Sequence, residues 1–133
     1  MDFSSYPQWN TFISSLVPSD PTATPGSRIK FRAIGRDMQS TVIENKPDTF
    51  NWIGVFIGAW FFQGHHFFNF EPYGEVGENG ETTGCKLLQF EHFSGIAAWF
   101  LLLFIRKDTE KGFKEMNEGL KAKAEAMVSA GGA

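Results

Sequence analysis

The order of two patterns constrains this chain most. A strand-like, phenylalanine-rich middle (residues 50–93) gives way at Phe93-Ser94-Gly95 to an unbroken apolar run from Gly95 to Ile105. One long amphipathic helical pattern then continues toward the C-terminus. Strands first and an apolar-faced helix last is the order in which a curved antiparallel sheet closes on a helix, an α+β arrangement. The aromatic load suggests what such a closure encloses. Fifteen Phe and four Trp in 133 residues exceed what a minimal core needs, which points to a container for a small apolar molecule more than to an enzyme for charged substrates.

Length and charge set the limits. A chain of 133 residues is most simply one domain, spanning 1–133, and buries roughly two thirds of its unfolded surface. Twelve Lys and Arg stand against fifteen Asp and Glu, a formal charge of −3 with no arginine-rich stripe, so nucleic acid is not an expected partner. The single cysteine, Cys85, has no internal disulfide partner, which fits a reducing, cytoplasmic setting. Met1 to Tyr6 carries neither a basic nor an apolar signal region. The eleven residues Gly95–Ile105, closed by Arg106 and Lys107, fall short of the ~20 that cross hydrocarbon. They read as the buried start of a helix, with a membrane-touching or partner-facing surface as the alternative.

Along the chain, Pro7 suits a first helical turn, and Trp9, Phe12, Ile13 and Leu16 fall at i, i+3, i+4 and i+7, one helical face over residues 1–17. Three prolines and a glycine make 18–26 a loop. Five strands follow, at 28–34, 40–45, 50–56, 64–72 and 85–93, with turns at 35–37 and 46–48 and a polar, acidic hairpin loop from Gly74 to Gly84. Trp60-Phe61-Phe62 reads as a lip at a cavity mouth. From Asp108 on, Phe113, Met116, Leu120, Ala124 and Met127 form a helical stripe. Gly112 and Gly119 interrupt it at about 1 kcal/mol each relative to alanine, as expected where the helix closely approaches a ligand or the sheet.

Six segments in order carry a further pattern: Asp2-Phe3-Ser4-Ser5-Tyr6-Pro7-Gln8-Trp9-Asn10-Thr11-Phe12; Gly26 leading the Arg28–Ile34 strand; Phe50-Asn51-Trp52-Ile53-Gly54; Gly64-His65-His66-Phe67-Phe68; Glu91-His92-Phe93-Ser94-Gly95; and Phe113-Lys114-Glu115-Met116-Asn117-Glu118-Gly119-Leu120-Lys121. Together they resemble the START/Bet v 1-like (SRPBCC) superfamily, in particular its polyketide cyclase/dehydrase-like branch. The resemblance implies a helix-grip fold with about five strands wrapped around the C-terminal helix and an apolar cavity between them. One departure stands out. Members normally begin with a β-strand ahead of the Asp-Phe-x-x-Tyr-Pro-x-Trp-Asn segment, whereas here Met1 sits directly at it. The 85–93 strand is then expected to keep an open edge, and with the outward Leu88, Phe90 and Phe67 it suggests a homodimer through that edge.

His66 and Glu91 occupy matching positions of the pattern and alternate to one face with Phe68, Phe70, Leu87, Gln89 and Phe93. A carboxylate beside an imidazole in an apolar pocket can act as an acid/base couple, suited to enolisation and dehydration of a polyketide-like substrate. The plainer alternative is a buried pair that satisfies itself. Trp9, Phe12, Trp52, Phe68, Phe70, Leu87, Gln89, Phe93, Phe113, Met116 and Leu120 are the expected ligand-binding residues. His65 and His66 are adjacent on a strand and point to opposite faces, as do Glu91 and His92, so no metal site is expected, and no cofactor. Cys85 reads as a small apolar residue near a strand start. Three functions remain open: binding of a small hydrophobic ligand, cyclase/dehydratase-type catalysis by His66 and Glu91, or a non-catalytic oligomerising module.

Overall fold

A computed structural model describes residues 2–131. A 3₁₀ turn (Phe3–Ser5) runs into the short helix α1 (Tyr6–Trp9). Six antiparallel strands then form one sheet in sequential order: β1 (Ile13–Pro18), β2 (Arg28–Ala33), β3 (Arg36–Asn45), β4 (Thr49–Phe56), β5 (Phe62–Val76) and β6 (Thr82–Ser94). The 34-residue helix α2 (Ala98–Gly131) packs against the curled sheet. This is the α+β helix-grip arrangement expected from strands followed by a long helix.

Five sequence expectations need correction. Residues 13–18 are a strand, so the sheet has six strands instead of about five. The helical spacing there is produced by a bulge: the β1–β2 register shifts between Ile13 and Ser15, and the extra residue lets both Ile13 and Leu16 face inward. The β2–β3 connection is tighter than expected. Ala33 pairs with Arg36, and Ile34 and Gly35 form a two-residue turn with φ of 52° and 69°, the left-handed geometry whose twist matches the strands it joins. The Gly74–Gly84 loop is mostly strand, because β5 and β6 remain paired out to Val76 and Thr82. Cys85 is exposed, so it is no part of the apolar interior.

The largest correction concerns the apolar run. Ala98 is buried, but Ile96, Trp99, Phe100, Leu103 and Phe104 are exposed. The eight apolar residues Ala98–Ile105 cover the start of α2 all round, and at this end α2 lies against the last strand of the sheet, which covers one flank of it alone.

The core sits under the middle of α2. Met116 is fully buried among Trp52, Phe68, Phe50 and Ile29 of the concave face and Phe3 and Tyr6 of the N-terminal turns. Each such side chain contributes roughly 1.5–3 kcal/mol by leaving water. Asn10, itself buried, turns the chain from α1 into β1 by accepting from the N–H groups of Phe12 (3.1 Å) and Ile13 (2.8 Å). The two helix glycines have a structural reason. A Cβ at Gly112 would enter the ring of Phe12, and one at Gly119 would overlap the carbonyl oxygen of Trp9. Both glycines therefore seat α2 on α1 and the segment after it, rather than beside a ligand.

Alanine at either position is accordingly expected to lower unfolding free energy in urea by about 1–3 kcal/mol, despite its better helix propensity. Gly119→Ala should cost more, because a backbone carbonyl cannot rotate aside as a ring can. Stabilisation by both variants would contradict this packing.

Candidate functional site

Alternation along β5 and β6 brings the polar residues of the concave face together. His66 pairs directly across the sheet with Glu91, and its neighbours in register are Gly64 with Phe93 and Phe68 with Gln89. On its other side His66 faces Trp52 of β4. The imidazole is thus enclosed by rings: stacked on Trp52 at 5.1 Å, tilted against Phe68 at 4.5 Å and edge-on to Phe113 of α2 at 4.9 Å. It is 4% exposed.

The two ring nitrogens have different company. His66 Nδ1 lies 3.7 Å from Glu91 Oε2, a charge contact longer than a hydrogen bond. His66 Nε2 lies 3.0 Å from Gln89 Nε2. With the Gln89 amide donating, His66 Nε2 accepts, and the ring proton sits on Nδ1 facing Glu91. In this arrangement Gln89 Oε1 is buried without a hydrogen-bond partner. Turning the amide over would offer that oxygen to a protonated Nε2, so the Gln89 orientation and the His66 protonation state are coupled. Gly64 provides room for the carboxylate: a Cβ there would lie 2.6 Å from Glu91 Oε1. Sequence reasoning did not single out this glycine, and its only signal was its position directly before His65 and His66.

Glu91 is the member of the trio that reaches open space. Its side chain is 19% exposed against 5% for His66. It stands in a groove of about 680 Å³ between β6 and α2, walled by Phe93, Trp99, Leu102, Leu103 and Phe113, with Arg106, Lys107 and Glu110 at its polar side. Of the expected ligand-binding residues, Phe93 and Phe113 line this groove. Trp52, Phe68 and Met116 are buried in the core, and Trp9 and Leu87 pack on or beside it. Phe12 borders a smaller, polar hollow beside Gly112, and Phe70 another beside Phe50 and Pro47. Gln89 holds His66, and Leu120 is half-buried on α2. The helix residues Trp99, Leu102 and Leu103 were missed because the apolar run was read as buried. Trp60 lies beside the start of α2, where its carbonyl accepts from the Ile96 N–H at 3.0 Å.

The convex face carries a separate network. Lys46 pairs with Glu44, Asn51 Nδ2 donates to Glu44 Oε2 at 3.2 Å, and His65 Nε2 donates to Asn51 Oδ1 at 2.9 Å. His65 stacks on Phe67 at 3.9 Å and pairs across the sheet with His92. Adjacent His65 and His66 thus serve opposite faces, as alternation requires. Partial burial first, then the neighbouring His92 and His66, hold the His65 imidazole below its ordinary 6.5. The folded state therefore binds this proton less readily than the unfolded chain. Stability contributed here is present above pH 6.5 and is lost as pH falls through the folded-state value. Thermal unfolding followed from pH 7.5 to 5 should show Tm falling with pH, and His65→Asn should flatten that slope; an unchanged slope would contradict the assignment.

No protein-family model and no curated protein matches the chain. Among solved structures, it is similar to the crystal structure of a hypothetical protein from Helicobacter pylori, with a TM-score of 0.67 and 18% identity over 92% of this chain and 74% of that one. At that identity the likeness establishes the fold and leaves function to the site itself.

Proposed function

We propose that the chain binds a small hydrophobic or aromatic molecule in the groove between β6 and α2, as a member of the START/Bet v 1-like superfamily that its sequence resembles. The observation that carries this is the groove itself: about 680 Å³, with Phe93, Trp99, Leu102, Leu103 and Phe113 as its apolar wall, Glu91 beside them, and Arg106, Lys107 and Glu110 on its polar side. The apolar wall supplies affinity by area, and the few polar groups fix orientation. The exposed, unpaired Cys85 suits a cytoplasmic setting. No helix among the described residues is long and apolar enough to cross a membrane.

The enzyme reading has its own support, in revised form. His66 is walled in by rings, so Glu91 is the group that would meet a substrate, taking a proton next to a carbonyl. His66 and Gln89 would act through it by holding the carboxylate and the ring tautomer. Pairing of two copies through the β6 edge is the remaining expectation, and it stands on the single-sided pairing of that strand.

Titration with 1-aminoanthracene, a flat and nearly neutral fluorophore, tests the binding reading. We expect saturable binding, about tenfold or more weaker in Leu102→Lys and unchanged in Val76→Ser, whose side chain is exposed on the far end of β5. Equal loss in both, or none in either, would overturn it. Separate Glu91→Gln and His66→Gln variants that bind normally but lose turnover of a poly-keto substrate would favour catalysis.

A further inference from the structure

The two edges of the sheet are built differently. The β1 edge is six residues long and ends in Pro18, features that discourage strand addition. The β6 edge is thirteen residues long and contains no proline. Among the described residues it pairs with β5 alone, and the row of backbone N–H and C=O groups on its other side has no strand beside it. Directly beside that row lies the apolar flank of α2, with Trp99, Leu102 and Leu103 sharing the groove with Glu91, His92 and Phe93 of the edge strand.

The exposed surface continues beyond the groove. Trp60, Ile96, Trp99, Phe100, Leu103 and Phe104 are each between 63% and 79% exposed; Trp99 lies edge-on to Phe100 at 5.4 Å, and the Ile96 N–H bonds the Trp60 carbonyl. Aromatic and aliphatic side chains of these sizes present about 900 Å² together. The largest apolar patch on an ordinary monomer is roughly 300–600 Å², whereas one partner in a standard interface covers about 800 Å². A lipid surface would cover the apolar groups and leave the strand edge unpaired. A polypeptide strand satisfies both.

We propose that this strand is the β6 of a second copy, added antiparallel about a two-fold axis, so that the second copy also roofs the groove. Self-pairing through β6 closes as a two-fold dimer, whereas β6 on β1 is a head-to-tail contact that builds rings or open filaments. The strand is self-complementary with the axis at Phe90. On the concave face Leu87 meets Phe93 of the second copy, and Gln89 meets Glu91; on the convex face Leu88 meets His92, and Phe90 meets its own equivalent. The added strand turns Leu87 and Phe93 of the second copy toward Trp99 and Leu103. The dimer stands independently of ligand binding, whereas the roofing role rests on the ligand reading.

Sedimentation equilibrium and native mass spectrometry of the ligand-free chain should give twice its 14.9 kDa mass at micromolar concentration. Facing residues in antiparallel strands lie ~4.5–5.5 Å apart at Cα, within disulfide range. Phe90→Cys in a Cys85→Ser background should therefore cross-link to a dimer on mild oxidation. Trp99→Lys with Leu103→Lys, both at exposed positions, should give a monomer with unchanged circular dichroism. A wild-type monomer across 1–100 µM would overturn the proposal, as would a dimer indifferent to both sets of variants. So would a monomer that floats with phosphatidylcholine vesicles, since lipid would then be what covers the patch. A monomer that still binds 1-aminoanthracene would reject the dimer and leave the ligand reading intact.

Discussion

The rest of the structure depends on how closely α2 is seated. Two positions on one helix lack side chains so that a ring and a backbone carbonyl of the N-terminal segment can occupy the space, at Gly112 and Gly119. Met116 between them is driven fully into the concave face. This contact fixes the height and direction of the helix above the sheet. The middle of α2 then lies over the core, and the N-terminal half projects along the last strand. The groove is what remains between the helix and the curled sheet on the side away from that contact.

The same seating determines the chemistry of the site. Phe113 comes from the turn after Gly112 and closes over His66 edge-on, completing a ring enclosure with Trp52 and Phe68. An imidazole so enclosed meets nothing from solution directly, and its effect passes through what its nitrogens hold. One faces Gln89 and the other Glu91. The carboxylate is left at the boundary between the packed interior and the groove, in the space that Gly64 keeps open. A carboxylate beside the apolar wall of the groove suits both recognition of a ligand's polar end and proton transfer with it. The binding and catalytic readings therefore rest on the same residues.

Much of this was legible from residue order. Period-two alternation in 64–72 and 85–93 correctly placed His66, Glu91, Gln89 and Phe93 on one face, and the strand-then-helix order gave the architecture. Where the reading failed, one local feature imitated another. The bulge at Ile13–Ser15 turns strand alternation into helical spacing. The helix start at Ala98–Ile105 is apolar all round, so its sequence cannot say which side is covered; that depends on where the sheet ends, a property of topology rather than of the segment. Asn10 and Asn51 could not be given roles because their partners are backbone groups in the following turn and side chains on neighbouring strands.

The central claim is that the space beside Glu91 encloses an apolar molecule. The most direct measurement is native mass spectrometry of protein purified gently from its source host, with the released small molecules extracted and identified. The account predicts protein mass plus a stoichiometric apolar compound, present in the wild type and absent from Leu102→Lys prepared in the same way. Bare protein from the source host, or a compound retained equally by both proteins, would contradict it.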